Sequence, residues 1–443
     1  MLLPIPLTPQ TGGRVKKRIY VAAGASTLIA VAALVLVSLA SARSSATPLP
    51  ASSCQAIQNP SGQYLIASDL PLEGSGRTQT IQMGKAIAYI LKQHNWKAGK
   101  YTLAYQACDD ATAQAGKWDS GKAAANANAY AQDQSVIGVI GTFNSGAAEI
   151  EIPILNRAPN GPVGMISPAN TYVGLTHAGP GTAPGEPGKY YPTGKRNYIR
   201  IVAADDFQGA ADAILAKSLG IKKLFLLNDK EAYGLGVASD VRNAAKRLGI
   251  KVVGFTAWDG KASSYEALAV KIKASGAQGV FLGGLICENG GKLIKDIRAG
   301  VPGVKILAPD GFTPISADVQ TAGAAANDMT VSVAGLPTSQ LKGAGKAFVK
   351  GFTKAVGPPA PYAVYAAQAA EVMIAAIARS NGTRASVAAQ LFKTKVKNGI
   401  LGSFTINKNG DTSSNPVTIY KIVGGKSTNY KVIVPPTTLV KVA

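Results

Sequence analysis

Residues 136–176 read VIGVIGTFNSGAAEIEIPILNR, then an APNG turn, then PVGMISPANTYVGLT. Two β-rich apolar runs each end abruptly in small polar residues, the pattern of buried strands that leave a sheet through short polar loops. In an open parallel sheet the loops at the carboxyl ends of strands bound the crevice in which ligands sit. Asn144, Ser145, Asn170 and Thr171 are therefore candidates for one wall of such a crevice. Ser145-Gly146 opens a helical run, AAEIEIPILN, whose first backbone N–H groups are free to face an anion such as a carboxylate. Ser, Asn and Thr are also ordinary helix caps and turn formers, so either loop alone reads equally as a cap.

Working outward, the alternation of strand and helix continues on both sides. YLIASDL precedes a helical run over about 78–95, TLAYQA one over about 117–134, and VGMIS and YIRIV follow. Repeated βα units of this length predict a parallel sheet covered on both faces. A Gly/Pro-rich insert, HAGPGTAPGEPGKYYPTGK (177–195), is too irregular for core and is expected to form a surface loop. The alternation then restarts with KLFLLN, KVVGFT, GVFLGG and KILAP and their helices, which predicts a second α/β lobe. Three helical runs follow, over about 340–355, 362–380 and 384–393. GSFTINKNGDTSSNPVTIYKIVGG (402–425) reads as strands joined by an NGD turn.

The 443 residues, 47% hydrophobic and 7% aromatic, are ample for more than one lobe. Lys and Arg number 46 against 24 Asp and Glu, a formal charge of +22. The basic residues are spread through the chain, without the basic stripe, stacking aromatics or reading motif that nucleic-acid binding requires. They suit a solvated surface near an anionic envelope.

Arg14, Lys16, Lys17 and Arg18 precede the run VAAGASTLIAVAALVLVSLASA, which closes on Ala40-Ser41-Ala42. This is the layout of a secretory signal, and the run is also long enough for an uncleaved anchor. Residues 1–42 are expected to be one or the other, and the remainder to be exported. Residues 43–61, rich in Ser, Ala and Pro, are expected to be a linker. A lipid-anchor cysteine would follow the apolar run directly, whereas Cys54 lies beyond a polar spacer.

Enzyme readings find little support. Only His94 and His177 are present, too few for a His-based triad or a metal cluster. There is no phosphate-binding loop, and Gly234-Leu-Gly236 lacks the third glycine of a dinucleotide fingerprint. Asp109-Asp110 reads as a loop acid or helix cap rather than a catalytic pair. No catalytic residue, metal or cofactor is expected. Of the three cysteines, Cys54, Cys108 and Cys287, two could pair in an oxidising compartment. Cys54 with Cys108 is the expected bridge, and three separate thiols are the alternative.

The order DLPLEG, YQACDDATAQ, VIGVIGTFNSGAA, MISPANT, NDKEAYGLGVA, GGLICENGGKLIKDIR, LAPDGF and GSFTINKNGD resembles the extracytoplasmic substrate-binding proteins of branched-chain amino-acid ABC transporters, from about residue 64 to the C-terminus. The resemblance implies two Rossmann-like lobes with parallel sheets joined by a three-crossing hinge, the type I periplasmic binding fold, with crossings near Val202, Ala334 and Leu401. Residues 62–202 with 335–400 would form lobe 1, and 203–334 with 401–443 lobe 2. It further implies a monomer that closes on a small-molecule ligand, an amino acid or an analogue, and presents it to an ABC permease. A ligand-binding sensor module of the same fold, serving a receptor, is the alternative.

Carried over by position, Ser145, Ala169 and Thr171 match the residues that hold the amino-acid carboxylate, Tyr233 an aromatic on the opposite lobe, and Asp310 the acid that pairs with the α-ammonium. Gly146 and Asn170 join this set from the loop reading. Three departures stand out: Asn144 replaces a second cysteine, Ile286 an aromatic, and Arg77 another aromatic. If the Arg77 guanidinium points into the cleft, it favours a ligand with a second acceptor; if it faces solvent, an aliphatic ligand remains in play.

Overall fold

The computed structural model describes residues 45–440; the signal or anchor expected at residues 1–42 lies outside the described residues. The apolar runs singled out above form the strands. The first sheet takes β1 (Tyr64–Leu70), β2 (Lys97–Ala98), β3 (Tyr101–Asp109), β6 (Val136–Gly141), β7 (Gly164–Ser167) and β8 (Tyr198–Arg200) in the order β2-β3-β1-β6-β7-β8. Pairing is parallel from β3 to β8, with β2 antiparallel at the edge. Between them, β4 (Ala111–Thr112) and β5 (Lys117–Trp118) make a separate small hairpin. Helices α1 (Arg77–Gln93), α2 (Ser120–Gln132) and α3 (Ser145–Asn156) are the connections.

After β8 the chain crosses to a second sheet built from β9 (Lys223–Asn228), β10 (Lys251–Ala257), β11 (Gly279–Gly283), β12 (Lys305–Ala308) and β13 (Thr330–Ala334), connected by α4 (Asp205–Ser218), α5 (Ala232–Arg247), α6 (Glu266–Ala274), α7 (Gly290–Gly300) and α8 (Ile315–Ala322). After β13 it returns: α9 (Gly343–Ala355), α10 (Pro361–Arg379) and α11 (Arg384–Leu391) pack on the first lobe, Phe348 and Phe352 of α9 meeting Tyr89 of α1 edge to face. A hairpin of β14 (Lys395–Gly399) and β15 (Gly402–Thr405) leads across a third time, to β16 (Val417–Val423) and β17 (Lys426–Ile433). These two join the second sheet antiparallel, giving the order β10-β9-β11-β12-β13-β16-β17. The NGD turn therefore does not pair β15 with β16; it closes only a single antiparallel bridge between Ile406 and Thr412. It carries Asp411 back onto Arg200 of β8, with Nε to Oδ1 at 2.9 Å.

The α10 helix is central to the packing of the first lobe. Fourteen of its nineteen residues are buried, leaving only a narrow face at Glu371, Ala375 and Ala378 toward solvent. It lies against β6 at Gly138, where a Cβ would meet the Met373 sulfur at 2.5 Å. The glycine in the middle of VIGVIG is thus a close-approach site for a helix.

The expected linker is corrected. Residues 45–61 are no free linker: they run along the outer edge of β3. Gln58 and Tyr105 exchange backbone hydrogen bonds at 2.8 and 3.0 Å, and Gln55 N donates to Ala107 O at 2.8 Å. The Gln106 side chain accepts from Leu49 N and donates to the carbonyls of Leu49 and Gln55, and a Cys54–Cys108 disulfide pins the segment. An edge strand presents unpaired N–H and C=O groups, and this stretch satisfies them. The Gly/Pro-rich insert is the expected surface loop, and it is organised around one acid. Glu186 accepts from the hydroxyls of Tyr172 and Tyr190, each at 2.6 Å, and from Ala183 N at 2.7 Å.

Candidate functional site

The carboxyl ends of five strands face one another across the space between the lobes. From the first lobe, Phe143, Asn144 and Ser145 follow β6, and Ala169 and Thr171 follow β7; from the second, Glu231 and Tyr233 follow β9, Leu285 follows β11, and Asp310 and Gly311 follow β12. Together they line one cavity between the lobes.

One wall is suited to an anion. Ser145 is the first residue of α3, and Asn144 before it is extended and makes no side-chain cap, so the first N–H groups of the helix are not capped by that side chain. The Ser145 hydroxyl accepts from Tyr172 N at 3.3 Å, which leaves its own proton to donate. Asn170 holds this wall rather than facing the ligand: its amide donates to the carbonyls of Thr142 and Phe143 at 3.0 Å, and its oxygen accepts from the Tyr198 hydroxyl. Gly146 also serves packing, because a Cβ there would lie 2.3 Å from the Trp118 ring.

The opposite wall is acidic. Asp310 is 7% exposed. Its Oδ1 accepts from the Tyr233 hydroxyl at 2.7 Å and its Oδ2 from the Tyr362 hydroxyl at 2.6 Å. Burial raises its pKa, against the pull of the two tyrosines. A second acid, missed by the sequence reading, stands beside it. Asp205, the first residue of α4, is fully buried and neither carboxylate oxygen has a hydrogen-bond partner. Burial, then the charge of Asp310, drives its pKa well up. Its backbone N–H donates to Thr171 O at 2.8 Å, which places it at the junction of the two walls. A positive group between Asp205 and Asp310 would relieve both.

The lobes also touch directly. Lys117 of the small hairpin reaches from the first lobe to Glu231 at 2.6 Å and to Glu288. Burial works against its charge, but the two carboxylates outweigh it and hold the ammonium's pKa up. Trp118 Nε1 donates to Glu231 at 3.4 Å, and Gln79 Nε2 to Thr313 at 3.1 Å.

Two α/β lobes joined by three chain crossings agree in fold with what the comparison with known families returns. Residues 66–427 fit the family model described as periplasmic binding protein. This chain belongs to that family. It is 26% identical over 301 residues to an amino acid binding protein of Pseudomonas aeruginosa, covering 68% of this chain and 75% of that one. It is 25% identical over 372 residues to Leu/Ile/Val-binding protein homolog 2 of Brucella abortus, covering 83% and 92%. Among solved structures, a leucine binding protein, LivK, of Thermotoga maritima superposes with a TM-score of 0.72 at 21% identity, covering 84% of this chain and 99% of that one. A solute binding protein of an ABC transporter from Rhodopseudomonas palustris, in complex with p-hydroxybenzoic acid, reaches 0.69 at 16% identity, covering 84% and 97%. At these identities the structures show the shared fold.

Within this periplasmic binding protein, Ser145, Ala169, Thr171, Tyr233 and Asp310 converge on the cavity. Arg77 does not, and its assignment is corrected: it opens α1 on the exposed side, beside Cys54, Glu73 and Lys122. Ile286 is buried against Gly290 and Phe312, and its neighbour Leu285 supplies the cavity contact instead. Tyr362, which stacks edge to face on Phe143, was also missed. It belongs to the third chain segment, and its only sequence signal is its place just after the Pro361 that opens a helix.

Proposed function

We propose that this protein captures a free amino acid, or a close zwitterionic relative, in the interlobe cleft outside the cytoplasm and, working as a monomer, delivers it unchanged to an ABC permease. The observation that carries this reading is the polarity of the cavity. The uncapped start of α3 with the Ser145 hydroxyl faces Asp310, with Asp205 beside it, so the two ends of a zwitterion find opposite partners. Leu285 and Phe143 offer an apolar side-chain surface and no second cation, which favours an aliphatic or small side chain over an acidic one. Family membership and the amino-acid binders among the relatives support it.

A thermal-shift screen of leucine, alanine, glutamate, 4-methylpentanoate and benzoate tests it. A ligand at about 100 times its Kd adds about 2.7 kcal/mol to stability. Leucine or alanine is expected to give this shift and 4-methylpentanoate, which lacks the ammonium, to give none. A shift with benzoate and none with any amino acid would overturn the reading.

A further inference from the structure

Behind the ligand wall the first lobe buries a second group of acids. Asp69 is near the end of β1, Asp110 directly follows β3, and Glu151 lies on α3 six residues after Ser145; all three are 0% exposed. One carboxylate oxygen from each lies within 4.8 Å of the others. Asn126 donates to both oxygens of Asp69, at 3.0 and 3.3 Å. Both oxygens of Asp110 and both of Glu151 lack a hydrogen-bond partner. So does the hydroxyl of Tyr130, a fully buried residue of α2 that sits in the field of all three carboxylates. Lys122, the one basic group acting on Asp110, is paired with Asp109 at 3.7 Å.

Three carboxylates in a dry interior cost several kcal/mol each unless their charge is compensated. A proton taken up by Asp69 or Glu151, whose pKa values burial raises, compensates that one acid alone. It leaves Asp110 and the Tyr130 hydroxyl unanswered, whereas a cation at the common centre engages all four groups. The donors are all hard oxygens, the set preferred by Ca²⁺, Mg²⁺ and Mn²⁺ over softer metals. A buried, all-protein set of oxygen donors suits Ca²⁺, whereas Mg²⁺ usually keeps several of its waters. We propose that Asp69, Asp110 and Glu151, with the Tyr130 hydroxyl, form a site for one divalent cation, calcium by its donor set. It would tie the ends of β1 and β3 to α3 directly behind Ser145.

The test is on the full exported chain with its disulfide intact. Metal content is measured after dialysis. The protein is then unfolded and refolded in EDTA, in millimolar Ca²⁺ or in millimolar Mg²⁺, since a buried ion exchanges only when the fold opens. One Ca²⁺ per chain is expected, with a Tm several degrees higher in Ca²⁺ than in EDTA and a smaller rise in Mg²⁺. Asp110→Asn and Glu151→Gln should abolish the calcium dependence. Wild-type protein that carries no divalent ion and melts at the same temperature after refolding in EDTA and in Ca²⁺ would overturn the proposal, leaving the triad neutralised by protons. If the variants fail to fold, the wild-type measurements still decide.

Discussion

Tyr362, at the start of α10 in the first lobe, donates its hydroxyl to Asp310 Oδ2 of the second lobe at 2.6 Å. The residue proposed to hold the ligand ammonium is therefore also a point where the closed lobes meet. Ligand recognition and closure share one carboxylate.

Asp310→Asn keeps the shape of this contact and removes the charge. It is expected to weaken leucine binding by about 3–5 kcal/mol, the cost of leaving a buried cation without its partner. That is two to three orders of magnitude in Kd. Calorimetry reads it directly, and an unchanged Kd would remove Asp310 from the site. Tyr362→Phe, which deletes one hydrogen bond to a charged group, should cost about 1.5–3 kcal/mol in the same assay.

Lys117 bridges the lobes without belonging to the cavity lining. Lys117→Met is expected to leave the ligand's contacts in place and to raise its dissociation rate about tenfold, because two carboxylates lose their shared cation on closing. Small-angle scattering should show the unliganded variant more open than wild type. Equal scattering curves and equal off-rates would show that the bridge does not hold the lobes together.

His177 sits between two acids, Nε2 to Asp206 and Nδ1 to Asp411, each at 3.2 Å, and Asp411 also pairs with Arg200. Burial works against the imidazolium, but the two carboxylates outweigh it and raise its pKa to about 9. The folded state thus favours the proton. The resulting stability is complete below about 6.5 and is lost as pH rises through about 9. Wild type should lose up to about 3 kcal/mol more than His177→Gln between pH 6 and pH 9.5 in urea unfolding. Parallel loss in the two proteins would contradict this. Asp411 behaves in the opposite sense: burial alone would raise its pKa, but Arg200 and His177 hold it well below the usual carboxylate range, so its contribution is lost only in strong acid.

The Cys54–Cys108 disulfide spans 54 residues. By the chain-entropy model its removal in a Cys54→Ala, Cys108→Ala double variant should cost about 4 kcal/mol. Proteolysis of that variant should begin in residues 45–61, which would then be held to the β3 edge by hydrogen bonds alone. Cleavage elsewhere first would show that the bridge is not what keeps the segment in place.

The alternation of strand and helix was legible because period-2 and period-3.6 patterns are local, and Ser145 and Thr171 because they lie in the short polar loops after strand-like runs; Tyr233 and Asp310, which line the same cavity, came from the family resemblance alone. Asp205 was not, since an acid at the start of a helix reads as a favourable dipole partner and its burial depends on the other lobe. Glu151 interrupts an apolar run, yet its helical neighbours Ala147, Ala148 and Leu155 are all buried; that spacing was the available signal. The packing of residues 45–61 was hidden because Ser, Ala and Pro carry no periodicity, and their partner is a backbone edge with no side-chain signature.

The Arg200–Asp411 pair joins the first chain crossing to the third. Two straps stitched together along their length bend readily about a common line but resist sliding past each other. The lobes should therefore swing like the covers of a book on a single spine, and each opening should return the cleft walls to the same register.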